Sequence, residues 1–296
     1  LPKATFAIVK QEDVLKEGEK IQITINPKEF ENIRFAGEQT KTGQLILLKN
    51  SKINPGTIGF LAMLGISSIK VYKKPNILIV ATGNELLLQN EVLAPGKIFE
   101  SNTYTLKAAL KQFGFDADAI IVKDDKSELL VQAEIALVNY DLILFTGGIS
   151  VGDYDFVYDV LMKLDVKNVF YKVKQKPGKP LFFGTKGNKM IFALPGNPAA
   201  VLTSFYIYVL EALAIFKGEP NKILNTAFLK LKEPFSKTDK LTFFLKGKKH
   251  HDIVEILNDQ SSAMLSSFVE ADCLVVLPEG KSSFEKNEFV EIINIK

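Results

Sequence analysis

The residues best placed to do chemistry sit in glycine turns, each following a short apolar, β-branched run. These are NILIVATGNE (76–85), LILFTGGISVGDYD (142–155) and KMIFALPGNP (189–198). Each reads as a buried strand, a sharp turn of small residues, then a helix. In an open parallel sheet such turns share the carboxyl edge, where ligands bind and backbone N–H groups point outward. Between the last two turns, KQKPGKP (174–180) can bring two ammonium groups to the same edge. Backbone donors, lysines and nearby carboxylates suit a phosphorylated, metal-assisted substrate.

Taken singly, the turns differ in weight. In Thr82-Gly83-Asn84-Glu85 the glycine allows positive φ, Thr82 offers a hydroxyl, and Glu85 is a candidate partner for a metal or hydroxyl; a plain helix-capping turn fits equally well. Thr146 to Gly152 places Gly147, Gly148, Gly152 and the hydroxyl of Ser150 between strand and helix, which suits a phosphate cradle. The spacing fits neither a P-loop nor a dinucleotide fingerprint. Asp155 follows directly, and a carboxylate beside a phosphate is repulsive unless a cation lies between them, which points to Mg²⁺. Lys176 and Lys179 lie in a loop stiffened by proline, with a solvated lysine turn as the alternative. Pro195, Gly196, Asn197 and Pro198 end a strand, with Asn197 placed to cap the following helix and Pro198 in its first turn. Asp124 and Asp125 close the DAIIV strand, where such a pair is ordinarily a solvated turn.

The elements that must position these turns follow from pattern. Strands are expected at 76–81, 118–122, 141–145, 168–173 and 190–193, with helices at 102–114, 126–139, 154–164 and 198–216. That alternation implies βαβ units and a central three-layer, mainly parallel α/β domain over 75–217. Residues 1–74 read as a β-rich amino-terminal remnant, with strands in ATFAIVK, EKIQITI and ENIRF, plus a linker helix near 55–64. That helix, apolar on most faces, should be buried against something larger. Residues 218–296 alternate short strands and turns, as in a small β-barrel. The chain starts at Leu1 and enters a strand-like run almost at once, as a fragment or processed chain would.

Composition narrows the classes. A net charge of +3 is too small to argue for nucleic acid, and Arg34 is the only arginine. Cys273 is the only cysteine, which excludes an internal disulfide and fits a reducing, cytoplasmic setting. With His250 and His251 the only histidines, a Cys/His zinc site lacks material, so any metal should be a hard cation on oxygen. No apolar run is expected to reach the length of a membrane span, and no signal-peptide pattern opens the chain.

Taken in order, ATGNEL, TGGISVGDYD, KPGKP and LPGNP resemble the molybdopterin molybdenumtransferase family, which includes the matching domain of gephyrin. The resemblance extends back through AIVKQED (7–13) and NIRFAGE (32–38) and forward to QSSAMLSSF (260–268). It implies ligation of molybdenum to adenylylated molybdopterin, with AMP released and molybdate inserted at the dithiolene beside Mg²⁺. It carries Glu85, Asp125 and Asp155 over as acidic groups of the cleft, with Asp155 and Glu85 as metal ligands. Gly147, Gly148, Ser150 and Gly152 would hold phosphate, and Lys176 and Lys179 would balance its charge. Thr82, Gly83, Pro195, Gly196, Asn197 and Pro198 would shape the substrate wall. Ser262, Ser266 and Ser267 would face a cleft of the partner subunit in a homodimer. A molybdopterin adenylyltransferase is the implied protein partner. Gln39 stands where the family has aspartate, Lys246 where its tail often has arginine, and the MDGYA-like segment is absent. A non-catalytic molybdopterin-binding or scaffolding member is the alternative reading.

Overall fold

A computed structural model describes residues 1–2, 4–149, 156–218, 224–238 and 240–296. The chain divides into two compact units, Leu1–Ser68 and Ile69–Lys296.

Among the described residues of the first unit the paired strands are β1 (Val14–Glu17) and β2 (Lys20–Ile23), an antiparallel hairpin. The FAIVK and ENIRF runs, expected as strands, are irregular instead. They do meet, Ile8 N donating to the Glu31 carbonyl at 3.0 Å and Phe30 N to the Phe6 carbonyl at 2.7 Å, but Phe30 and Asn32 turn at φ 63° and 56°, so no ladder continues from those two bonds. Helix α1 (Pro55–Met63) starts as the sequence indicates. Pro55 is in the first turn, the Asn54 side chain accepts from Thr57 N, and Gly65 follows the end at φ 72°. The burial expected of this helix is not found, because Leu61 is its only buried residue.

The second unit begins with β3 (Ile77–Thr82), the short pair β4 (Leu86–Leu87) and β5 (Ile98–Phe99), and α2 (Asn102–Gln112). Next come β6 (Asp118–Val122), α3 (Lys126–Asn139), β7 (Leu142–Thr146), α4 (Phe156–Lys163), β8 (Lys167–Tyr171) and β9 (Gln175–Lys176). β10 (Phe182–Lys186) and β11 (Lys189–Leu194) then form a hairpin that leads into α5 (Pro198–Ser204), a π turn (Phe205–Val209) and α6 (Leu210–Lys217). The sheet order is β6-β3-β7-β11-β10-β8, parallel from β6 to β11 and antiparallel at β10 and β8. Alternate residues of each central strand go to opposite faces, and both faces are apolar. Ile77, Ile79, Leu142 and Leu144 pack with α2, α5 and α6, whereas Leu78, Val80, Ile143 and Phe145 pack with α3 and α4. Burial on both sides explains the unbroken apolar runs and gives the three layers.

Pro198–Lys217 corrects one expectation. It is long and apolar enough to span a membrane by length and composition, yet 72% of that stretch is buried in this fold. Its apolarity is spent on Phe192, Leu194 and their neighbours in the sheet.

The tail forms β12 (Thr226–Leu231), β13 (Phe235–Ser236), β14 (Thr242–His250), β15 (Ile253–Ile256), α7 (Ser266–Glu270), β16 (Cys273–Leu277), β17 (Ser283–Phe284) and β18 (Phe289–Asn294). Pairings β12–β18, β18–β16, β16–β14, β14–β15 and β15–β12 close into a ring, a small five-stranded barrel filled by Leu231, Val254, Val275 and Ile292. β9 adds itself in parallel to β14, so the KPGKP loop is rooted in the barrel.

Candidate active site

Register brings the turns together. Thr82 pairs with Val122, Ala81 with Thr146, and Thr146 with Leu194, so four parallel strands end within one residue of the same level. The residues just beyond those ends line a cavity of about 630 Å³: Thr82, Gly83, Asp124, Gly147, Gly148 and Pro195 among them. Its remaining wall includes Glu85, Glu100, Asn102, Pro180, Asn197 and Ala263.

The floor is bare backbone because nothing larger fits. Gly147 (φ 85°) would place a Cβ 2.6 Å from the Thr82 carbonyl oxygen, and Gly148 (φ 61°) one 2.8 Å from Val157 Cγ2. Thr82 is buried and its hydroxyl donates to the Thr146 carbonyl at 3.4 Å, so it braces this floor from below. The Glu85 carboxylate lies over Gly83, with Oε2 2.7 Å from where a Cβ would stand. It makes no hydrogen bond among the described residues.

The walls are held by exchanged polar contacts. Asn84 N donates to Asp124 Oδ2 at 2.9 Å, and Asp124 N donates to Asn84 Oδ1 at 3.2 Å. Glu100, 2% exposed, accepts from Thr103 N at 2.8 Å and from the Thr103 hydroxyl, which caps α2. Asn102 donates through Nδ2 to the Gly196 carbonyl at 2.9 Å, while its Oδ1 is buried without a partner. Sequence reasoning passed over Asp124, Glu100 and Asn102. The first was visible only as half of an acidic pair, and the others had no signal beyond standing at a helix start.

Several expected site residues have other positions. Asp125 caps α3, accepting from Ser127 N at 3.0 Å and Glu128 N at 2.8 Å, and its neighbour Asp124 lines the cavity instead. Lys176 and Lys179 are exposed and outside the lining, to which their loop contributes Pro180. Lys176 Nζ lies 5.1 Å from the centre of the Phe243 ring. Asn197 holds the N-cap position of α5 without a side-chain cap. Its Nδ2 donates to Ser262 Oγ at 3.0 Å, and the Ser262 carbonyl accepts from Ala199 N at 2.9 Å and Ala200 N at 3.2 Å. Ser267 is buried and donates to the Asp259 carbonyl, which leaves Ser266 as the exposed member of that pair. Ser150, Gly152 and Asp155 lie outside the described residues.

Lys246, which stands where the family tail often has arginine, is enclosed by its own loop. It is 3% exposed, and its ammonium donates to the carbonyls of Asp259 at 2.8 Å, Ser261 at 3.3 Å and Met264 at 3.3 Å. Three carbonyls occupy the charge, so it offers no anion site; it anchors the 259–264 loop that delivers Ser262 and Ala263 to the cavity rim. Burial holds its pKa below the ordinary 10.5, with Asp259 acting the other way.

An α/β layer with a bare glycine floor at its carboxyl edge, joined to a five-stranded barrel that supplies one rim, defines a class. Residues 78–215 match the family profile described as probable molybdopterin binding domain. Residues 1–65 match the MoeA N-terminal region (domain I and II), and 229–295 the MoeA C-terminal region (domain IV). The chain is 32% identical over 298 residues to the molybdopterin molybdenumtransferase of Staphylococcus epidermidis, covering 99% of this chain and 71% of that protein. The Staphylococcus aureus protein of the same name is 31% identical over 299 residues, at the same coverages. The solved molybdopterin biosynthesis moea protein from Pyrococcus horikosii superposes with a TM-score of 0.80 at 27% identity, over 98% of this chain and 72% of that one. The chain belongs to the molybdopterin molybdenumtransferase family, transferases of molybdenum cofactor biosynthesis.

Proposed function

We propose that this chain ligates molybdenum to adenylylated molybdopterin, releasing AMP, with molybdate as co-substrate. The observation that carries the reading is the cavity at the sheet's carboxyl edge. A floor without side chains admits a phosphate, and Glu85, whose carboxylate has no partner among the described residues, stands over it. Asn102 and Asn84 fix the flanking loops, so the ligand meets walls that are already ordered.

Mg²⁺ is ordinarily bound through one or two carboxylates, with substrate phosphate oxygens completing its shell. Glu85 fits that role as a carboxylate free of partners among the described residues. Among the described residues no group of three His, Cys, Asp or Glu could hold a metal unaided, and substrate oxygens beside Glu85 and Asp155 would complete the set. When bound, the ion offsets the negative charge of the phosphate. Glu85 orients it, and Gly147 and Gly148 leave room for the anion. In a homodimer, Ser266 is the member of the serine group free to meet the partner's cleft.

The test uses the full chain with adenylylated and plain molybdopterin. We expect AMP release and metal insertion with molybdate and Mg²⁺, and Glu85→Gln should lower both while adenylylated molybdopterin still binds. Binding without AMP release by the unaltered chain would favour the scaffolding reading. Equal affinity for ATP or NAD would refute the pterin reading altogether.

A further inference from the structure

A second cavity, of about 430 Å³, opens at the other end of β11. Met190 near the start of that strand lines it, whereas Pro195 just past the strand's end lines the first cavity. Its wall is an aromatic ladder set by register. Phe170, Phe183 and Phe192 lie opposite one another on β8, β10 and β11. Ring centroids are 5.7 Å apart for Phe170–Phe183 and 4.6 Å for Phe183–Phe192. The helical layer adds Tyr208, whose ring centroid is 6.0 Å from that of Phe170. Tyr208 belongs to the π turn at Phe205–Val209, a distortion common where a helix must present a side chain off its regular spacing. Its hydroxyl is already committed to the Gln175 side chain.

The cavity contains one charged group. Glu211 lines it and has neither an ion pair nor a hydrogen bond among the described residues. Aromatic faces carry negative potential, and a carboxylate beside them adds to it. An anion is disfavoured here, and a neutral apolar body leaves the carboxylate without a counter-charge. We propose that this cavity is a second ligand site, taking a compact organic ammonium compound whose apolar body lies on the aromatic ladder and whose cation meets Glu211. Its volume lies within the usual range for small-molecule sites, roughly 300–1,000 Å³.

Methionine supplies the reporter, because the chain has only Met63, Met162, Met190 and Met264. In protein labelled with ¹³C at the methionine methyls, 2-naphthylmethylammonium should shift the Met190 resonance by ring current, saturably, below about 1 mM. The other three resonances should stay in place. 2-Naphthylacetate, the same ring with the opposite charge, should bind about tenfold more weakly or less. Glu211→Gln should cost the ammonium probe about tenfold while leaving the acetate probe unhurt. Phe170→Leu, which keeps bulk and removes a π face, should weaken the ammonium probe in a folded protein. The proposal is overturned if Met190 does not respond, if both probes bind alike, or if Glu211→Gln changes nothing. It is equally overturned if Met190 shifts with protein concentration alone and sedimentation shows self-association, since the occupant would then be a second copy of the chain.

Discussion

Replacing Lys246 by methionine keeps length and bulk but removes the ammonium that holds the 259–264 loop. Three loop carbonyls then lose the ammonium, although Asp259 keeps the Ser267 hydroxyl and Ser261 keeps the Met264 amide. A hydrogen bond to a charged group contributes about 1.5–3 kcal/mol, but two of these contacts are long and two of the carbonyls keep another donor, so about 1 kcal/mol each is the fair weight. Relief from burying a cation offsets part of that sum, leaving a net loss of about 2 kcal/mol. For a body of this size each kcal/mol moves Tm by about 2–4 °C, so the variant should melt roughly 4–8 °C lower. The local effect is more diagnostic than Tm. Ser262 takes the amides of Ala199 and Ala200 on its carbonyl, so loosening the loop uncovers the start of α5. Hydrogen exchange should show those two amides losing protection in Lys246→Met before the rest of α5 does. The sign with pH is fixed as well. Burial lowers the folded-state pKa of Lys246, so between that pKa and 10.5 the unfolded chain binds more protons and stability rises with pH. Lys246→Met should abolish that rise. Unchanged protection at Ala199 and Ala200, with an unchanged Tm, would refute the claim that Lys246 holds the rim.

Gly148→Ala forces φ 61° on a residue with a Cβ and drives that carbon to 2.8 Å from Val157, so urea melts should show a loss of about 1–3 kcal/mol. Gly196→Ala meets only Gly147 Cα at 3.6 Å, so it should fold normally and lower pterin affinity by crowding the cavity, measured by equilibrium binding. Tyr208→Phe strips Gln175 of a donor, and Gln175 in turn donates to the Pro177 and Gly178 carbonyls. About 1 kcal/mol should be lost, with faster proteolysis confined to the 175–180 loop. Cys273 is buried and its thiol is pushed up to about 12, chiefly by desolvation, so it should resist thiol reagents at pH 8 until denaturant is added. Because its folded pKa is the higher one, its contribution to stability should fall as pH rises from 9.0 to about 12, as equilibrium unfolding against pH can measure.

The central layer was legible because strands buried on both faces carry unbroken apolar runs. ILIVAT and LILFT can be little else when each ends in a glycine turn and is followed by a helical period. The β10 strand FFGTK was missed for the opposite reason. It joins β11 through the two-residue turn Gly187-Asn188, and its apolar content resembles that of a loop edge. FAIVK failed differently, since alternation records a preference for strand but not that its neighbour turns away at Phe30 and Asn32 after two bonds. The run 198–217 was expected as a helix of this domain and is one, but its length and apolarity were underrated, since they suit a spanning helix as well as a core one. That distinction lies in what packs against it, here Phe192 and Leu194.

At the site, the residues that were legible are those whose backbone does the work. Glycine announces a turn wherever it stands, so Gly83, Gly147, Gly148 and Gly196 could be placed at one edge from spacing alone. Side chains announce only their chemistry, and chemistry does not say which neighbour will claim it. Asp124 and Asp125 are identical residues one position apart at the end of β6. The helix takes the carboxylate that follows, because the cap must precede Lys126, and that leaves the other to the cavity. Nothing in the sequence around Lys246 says that the fold will enclose its ammonium among three carbonyls. Glu85 is the converse, since the turn presents its carboxylate and no described residue claims it. A charge that the fold leaves unsatisfied beside a bare backbone floor is the one arrangement here that a substrate must complete, which is why the functional reading rests on Glu85 rather than on the lysines.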